Sequence, residues 1–159
     1  MLNRTKEGLF WSDSSTFYLT KSVTDLLLLE ATSSQLKRAR INLHKHESST
    51  SVHEMIVAIC QESFLDLHKH PSKSESYQLL EGKLLIAITD DTAKITDTYL
   101  LDSASPFLRI NEGIYHYVKC LSQYAIYVET TIGPFDSAST KYYPWNKQQD
   151  LANFKACLV

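Results

Sequence analysis

A series of short, β-rich segments between residues 38 and 130 most constrains how this chain of 159 residues can fold. The segment 38–44 (RARINLH) alternates in side-chain character, as a strand with one buried face does. Further strands are predicted near 53–60, 63–70, 75–81, 83–89, 94–101, 107–110, 114–120 and 123–130. Turn residues at 71–74, 81–82, 90–91 and 111–113 separate them. Many short strands at this spacing indicate a β-sandwich or barrel.

Helices are predicted before and after these strands. Residues 23–35 have an apolar stripe at helical spacing with Ser22 as the predicted N-cap, after an irregular start. Residues 146–156 are expected to form a short helix that covers an open end of the barrel. We therefore expect one all-β-dominated domain. Its parts are an N-terminal helical extension over 1–36 packed on the barrel, a β-barrel over 37–146 and a helical tail over 147–159.

Net charge and hydropathy indicate which partners such a chain can bind and where in the cell it is expected. The net charge is −2, which does not favour binding to nucleic acid or to an anionic membrane. The longest aliphatic run, 26–29, is far shorter than the roughly 20 residues that span a bilayer. The first residues lack the apolar core of a secretory signal. We expect a soluble, cytoplasmic protein that binds neither nucleic acid nor membrane.

Two segments carry histidines and a glutamate at a spacing that suits a metal ion. His68 and His70 are two residues apart on a predicted strand, so both side chains point to one face. The turn at 71–74 lets the chain reverse and return Glu75 beside them. His116 follows a turn that contains Gly113, where a later hairpin can bring it opposite.

Three imidazoles and a carboxylate are costly to bury without a shared partner, and a divalent cation satisfies all four. Imidazole suits iron, nickel, copper or zinc, and the carboxylate also admits manganese. Without thiolates this is not a structural zinc cage. Taken by themselves, His68 and His70 would be interpreted as exposed or hydrogen-bonded histidines. Both segments together predict one divalent ion, namely iron, zinc, manganese or nickel, with positions open to water or substrate.

These segments also resemble a known family. The string HKHPSKSESYQLLEG at 68–82 resembles the first cupin motif, and GIYH at 113–116 resembles the core of the second. The resemblance implies a jelly-roll β-barrel whose metal ligands are His68, His70, Glu75 and His116. Asn111 stands where a proline is usual and Cys120 where an asparagine is frequent, but neither position is a ligand.

A narrower resemblance rests on RARINLH at 38–44, ETTIGPF at 129–135 and YPW at 143–145. With the motif at 68–82, these make residues 36–146 similar to the WbuC-type cupin-fold metalloproteins, which are encoded near bacterial O-antigen genes. The resemblance implies a metal-binding cupin of unsettled activity in surface-polysaccharide metabolism. Cupins commonly pair, so it also implies a homodimer.

Arg38, Arg40 and His44 share one strand face and are candidate substrate-binding residues. Guanidinium groups match carboxylate and phosphate, so together these residues would form an anion clamp. The alternative is a solvated edge strand whose charges discourage aggregation. His46 and His53 have no partner at a suitable spacing and are expected at the surface.

Glu129 and Tyr77 are the candidate catalytic residues. Glu129 would hydrogen-bond a ligand histidine or act as a general base, and the alternative is a surface carboxylate at a strand end. Tyr77 shares the face of Glu75 and would orient a substrate, or it fills the barrel as an aromatic. Tyr115 and Tyr117 flank His116 on the opposite face, which assigns both to packing.

Three functions fit these residues. The first is a metalloenzyme, an isomerase, epimerase or hydrolase, in which the ion is a Lewis acid toward a small polar metabolite such as a sugar or sugar nucleotide. The second is an Fe(II)-dependent dioxygenase, because a histidine/carboxylate site with open positions can bind dioxygen. The third is a non-catalytic module that binds a small, anionic or sugar-like molecule through the metal and the arginines.

Overall fold

Two β-sheets form the body of the protein, and a helix lies on the outer face of each. The structure is a computed structural model that describes residues 1–44, 50–134 and 140–158. The helices are α1 (Lys21–Ser33) and α2 (Gln148–Ala156). The strands are β1 (Leu2–Lys6), β2 (Leu9–Ser12), β3 (Arg38–Asn42), β4 (Val52–Cys60), β5 (His68–Lys69), β6 (Glu75–Glu81), β7 (Leu84–Thr89), β8 (Ile95–Leu101), β9 (Phe107–Ile110), β10 (Tyr115–Cys120), β11 (Tyr124–Ile132) and β12 (Lys141–Tyr142).

The order of the strands is that of a jelly roll. The larger sheet runs β1-β2-β3-β4-β11-β6-β9 and the smaller one β12-β5-β10-β7-β8. Only β2 and β3 pair in parallel among the described strands. Alternate residues of both sheets point inward and form a shared core that includes Ile59, Leu84, Ile86 and Ala125. The predicted all-β-dominated fold with a helix toward each end is confirmed.

Helix α1 fixes which face of β3 turns toward the core between the sheets. Leu27 and Ala31 are fully buried and pack against Ala39, Ile41 and other residues on the outer face of the larger sheet. Burial of a leucine of this kind contributes about 2 kcal/mol. Because side chains alternate along a strand, the remaining residues of β3 must point to the inner face.

Helix α2 covers the outer face of the smaller sheet. Phe154 and Leu158 pack with Tyr117, Leu67 and neighbouring apolar residues on that face. Tyr117 meets Phe154 edge to face, with ring centroids 5.6 Å apart, and Tyr115 meets Tyr143 in the same way. The packing role predicted for the two tyrosines is confirmed. The predicted position of the tail at an open end of the barrel is wrong, because the apolar surface that α2 covers is this outer face.

Other predictions also needed correction. The residues before α1 form the hairpin β1–β2 instead of an irregular start, and the N-cap is Thr20, not Ser22. The strand expected over 63–70 is reduced to His68–Lys69. Asp66 Oδ1 accepts hydrogen bonds from its neighbour's amide and from Trp145 Nε1, and such local bonds compete with a strand ladder.

Neither helix in the described part of the chain has the length and apolar character needed to cross a bilayer.

Replacing Gly82 by alanine is expected to destabilise the protein far more than the same change at Gly113. Both glycines have positive φ, +88° and +77°, so each alanine carries about 1–2 kcal/mol of left-handed strain. A Cβ on Gly82 would also lie 2.9 Å from Ala125 Cα and against the Tyr124 carbonyl, whereas a Cβ on Gly113 meets nothing within 4 Å. Urea denaturation of both variants measures the difference, and equal losses would contradict the packing at Gly82.

Candidate metal centre and cavity

Four ligand-type side chains converge between the two sheets. His68 on β5 lies directly opposite His116 on β10 in the smaller sheet. Glu75 begins β6 in the larger sheet, and the Gly113 amide donates to the His70 carbonyl at 2.8 Å, which joins the two motif segments. The ligating atoms of the four residues all lie within 4.8 Å of one another. The sequence-predicted ligand set is therefore brought to one point.

Backbone hydrogen bonds fix how two of the imidazoles face this point. His68 Nδ1 lies 2.8 Å from the Asp66 carbonyl oxygen, and His116 Nδ1 lies 3.0 Å from the Ile114 carbonyl oxygen. A carbonyl only accepts, so each Nδ1 carries the proton. Each Nε2 is then presented to the centre of the cluster, which is how ligand histidines are oriented in metal sites.

Glu75 is the buried anion of the cluster. Its Oε1 lies 2.8 Å from His70 Nε2 and its Oε2 lies 3.1 Å from His116 Nε2. Tyr77 donates its hydroxyl to Oε2 at 2.8 Å. Burial acts to raise the pKa of Glu75, but the contacts with His116 and His70 outweigh it and hold the pKa well below its ordinary value. The carboxyl group is therefore ionised at neutral pH.

The donor set fits a divalent cation. With its proton on Nδ1, a neutral His116 turns the lone pair of Nε2 toward a carboxylate oxygen 3.1 Å away. Two lone pairs at that distance repel unless a positive charge lies between them, either a proton or a metal ion. Burial, then the charge of His116, lowers the pKa of His68 to about 4. His68 is therefore neutral at pH 7 and also offers a lone pair, so a metal ion serves the cluster better than protons.

A cavity of about 970 Å³ extends from this cluster along the inner face of the larger sheet. This volume suits a small polar metabolite. The cavity brings together most of the site residues predicted from the sequence. Those that line it are Arg38, Arg40, His44, His68, His70, Glu75, Tyr77 and Glu129.

Glu129 lies inside the cavity and not at a strand end on the surface. It pairs with Met55 on one side and Tyr77 on the other, and β11 continues to Ile132. Burial, followed by the negative charge of Glu75, raises the pKa of Glu129 to about 7, and Arg40 opposes the shift. Glu129 therefore changes its protonation state near neutral pH. The surface-carboxylate alternative is wrong.

Arg38 and Arg40 line the cavity from β3. This strand lies between β2 and β4, so the edge-strand alternative is wrong. His44 lines the cavity too, but its ring stacks on His53 at a centroid distance of 3.9 Å and meets Trp11 edge-on at 5.2 Å. His44 is therefore part of an aromatic wall.

Among the cavity residues that the sequence analysis did not assign to the site are Asn42, His53 and Trp11. Asn42 and His53 are almost fully buried, and Trp11 joins them in the lining. The surface position expected for His53 is wrong, while His46 lies outside the described residues. Strand alternation places Asn42 on the face of Arg40, but nothing in the sequence indicated a role for it. Nothing local could have placed Trp11, because its position depends on the parallel pairing of β2 with β3.

Comparison with solved structures shows the fold. CapF, solved with the inhibitor 3-isopropenyl-tropolone, aligns with a TM-score of 0.55 and 17% identity over 67% of this chain and 32% of CapF. Oxalate oxidase aligns with a TM-score of 0.50 and 19% identity over 64% of this chain and 53% of its own. The matched chain thus spans about a third of CapF and half of oxalate oxidase. Both are cupin-fold proteins, and the cupin resemblance is confirmed at the level of fold.

Sequence comparison is more limited. No curated protein matches the chain. Residues 19–101, more than half of the chain, match the model of a domain of unknown function, DUF6016. The matched range includes the first motif segment and β3 to β8. It therefore contains His68, His70 and Glu75 of the histidine cluster. It also contains the two cavity arginines, Arg38 and Arg40. The chain belongs to the DUF6016 family.

Proposed function

We propose that this protein is a metal-binding cupin that holds one divalent ion and acts on a small polar metabolite in the adjoining cavity. One observation carries the proposal: four ligand atoms lie within 4.8 Å of one another at the end of a cavity of about 970 Å³. The residues that would hold the ion are His68, His70, Glu75 and His116. When bound, the ion supplies Lewis-acid polarisation of a ligand oxygen.

The chain's own residues provide orientation and proton transfer. The Tyr77 hydroxyl donates to Glu75 Oε2, which fixes the rotation of that carboxylate, as the outer hydrogen bonds of metal ligands do. Glu129 is the proton-transfer group. Its pKa of about 7 means that it can accept or release a proton at neutral pH, and it is adjacent to Tyr77 on the cavity wall.

The narrower proposal concerns the metabolite. The WbuC-type resemblance supports a sugar or sugar nucleotide of surface-polysaccharide metabolism, converted by isomerisation, epimerisation or hydrolysis. Two other functions use the same residues. An Fe(II)-dependent dioxygenase would require iron and would consume dioxygen, and a non-catalytic binding module would bind ligand without turnover. The identity of the metal distinguishes the dioxygenase from the other two.

Protein purified without added metal is expected to carry close to one equivalent of a divalent metal ion. The double variant His68→Ala/His116→Ala should lose it, because two of the four donors are removed. Elemental analysis by mass spectrometry measures both contents. Iron accompanied by dioxygen uptake favours the oxygenase, whereas zinc or manganese favours Lewis-acid chemistry.

Lys69→Ala is the matched control for this loss. Lys69 lies between His68 and His70 but points to the opposite face, where its Nζ contacts Asp91 and the Tyr115 ring. This variant should keep its metal, and circular dichroism should show all three proteins folded. A folded parent that neither carries metal nor binds added iron, zinc, manganese or nickel would disprove the metal-binding function.

Tyr77→Phe is expected to weaken metal binding by roughly tenfold, the range seen when an outer hydrogen bond to a ligand is lost. Tyr127→Phe is the control, since Tyr127 is also a buried tyrosine of the cavity wall but has no hydrogen bond to a ligand among the described residues. Competition with a chelator measures both affinities. Equal metal affinity in the two variants would show that the Tyr77 hydroxyl does not contribute to metal binding.

Glu129→Gln is expected to stabilise the metal-free protein increasingly from about pH 4.5 to pH 7. The unfolded chain releases this proton near the ordinary pKa of 4.5, whereas the folded protein keeps it up to about pH 7. The parent therefore loses stability over this interval, while glutamine stays neutral. Urea denaturation at pH 5, 6, 7 and 8 measures the difference. The control Glu112→Gln alters an exposed glutamate, and a Glu129→Gln effect independent of pH would contradict the raised pKa.

A further inference from the structure

The cavity has a second end, remote from the histidine cluster. Strand β3 lies three strands away from β6, which carries Glu75. Neighbouring strands are about 4.8 Å apart, so these two backbones are separated by roughly 14 Å across the sheet. Both strands contribute lining to the same cavity. A molecule that extends along the sheet can therefore reach from one end to the other.

Two guanidinium groups lie at the β3 end without an ion-pair partner in the part of the chain that the structure describes. Arg38 and Arg40 both line the cavity, and neither side chain makes a hydrogen bond or ion pair within the described ranges 1–44, 50–134 and 140–158. Of the nearby carboxylates, Glu7 accepts the Gln35 amide. Glu129 interacts with the arginines only through space. Within the described ranges no carboxylate therefore forms an ion pair with either arginine, and guanidinium forks match carboxylate and phosphate groups.

Asn42 is a second, independent sign of a missing ligand. Its side chain is 3% exposed and lines the cavity beside Arg40, on the same strand face. Its Oδ1 is buried and has no hydrogen-bond partner among the described residues. A buried carbonyl without a donor lowers stability, and folded proteins rarely keep one without a reason. A hydroxyl group of a bound molecule would supply the donor.

We propose that Arg38, Arg40 and Asn42 form a subsite for a hydroxylated organic anion, of the class of sugar phosphates and sugar acids. The two guanidinium groups bind the phosphate or carboxylate, and Asn42 Oδ1 accepts a hydrogen bond from a neighbouring hydroxyl. The rest of the molecule extends toward the histidine cluster. Asn42 takes the place that the sequence assigned to His44, whose ring packs between Trp11 and His53.

This subsite rests on the proposed function for the reaction at the far end of the cavity, but its own contacts include no cluster residue. Binding is therefore measured on the whole chain of 159 residues after treatment with a chelator, by calorimetric titration. The probes are glucose 6-phosphate, gluconate and neutral glucose. The parent should bind at least one of the two anions and should not bind glucose. The anion that binds identifies phosphate or carboxylate as the group recognised.

The variant Arg38→Gln/Arg40→Gln should weaken that binding at least tenfold. Arg109→Gln is the control because Arg109 is an exposed arginine on β9 that contacts Ser74 and does not line the cavity. It should bind like the parent. Binding that is equal in the double variant and the parent, or binding of glucose as tight as that of the anions, would overturn the subsite. A parent that binds neither anion at millimolar concentration would also overturn it.

The variant Asn42→Leu distinguishes a role of Asn42 in binding the sugar anion from a role in folding. Leucine is close in size and removes the buried carbonyl, so the melting temperature should stay equal or rise, while binding of the sugar anion should weaken about tenfold. Inorganic phosphate, which the arginines alone contact, should bind to parent and variant equally. A lower melting temperature with unchanged sugar-anion binding would show that Asn42 is structural.

The outcome is independent of the metal result. A chain that carries no metal but binds a sugar anion through the arginines loses the metal function and keeps the subsite. A chain that carries metal but binds neither anion keeps the metal function and loses the subsite.

Discussion

The burial of the Glu75 carboxylate is the constraint on which the rest of the site depends. Glu75 belongs to the larger sheet, whereas His68 and His116 belong to the smaller one. An ionised carboxylate between two packed sheets is strongly unfavourable unless positive charge and hydrogen bonds compensate it. The imidazoles and the Tyr77 hydroxyl surround it from both sheets. The same contacts therefore hold the sheets together at this end and assemble the metal ligands, so site and fold form as one unit.

Alternation along strands explains how much of this could be predicted from the sequence. His68 and His70, and likewise Arg38 and Arg40, are two residues apart, and strand geometry alone puts each pair on one face. The turn at 71–74 reverses the chain, which predicted that Glu75 lies beside the histidines. The sequence did not reveal the burial of His53 or the position of Trp11. Both depend on pairing between strands distant in the chain, such as the parallel contact of β2 with β3, which has no local signal.

Two cavity groups reduce the stability of the folded protein. Burial and the charge of Glu75 disfavour the ionised form of Glu129. Asn42 has a buried carbonyl oxygen without a donor among the described residues. Apolar residues at both positions would fold at least as well. Glu129 and Asn42 lie on opposite sides of Met55, in one row across β3, β4 and β11, where the proposed subsite and the proposed proton transfer would require them. Functional sites commonly sacrifice stability in this way.

The spacing between the two ends of the cavity is set by strand register. Asn42 pairs with Met55, Met55 with Glu129, and Glu129 with Tyr77, so one continuous row of partners relates β3 to the metal end. A slip of one residue in the pairing of β3 with β4 would turn the arginines outward and point Ala39 and Ile41 into the cavity. Helix α1 prevents the slip because its apolar face accepts those two side chains. Helix α1 therefore determines which side chains of β3 line the cavity, through the register it imposes on that strand.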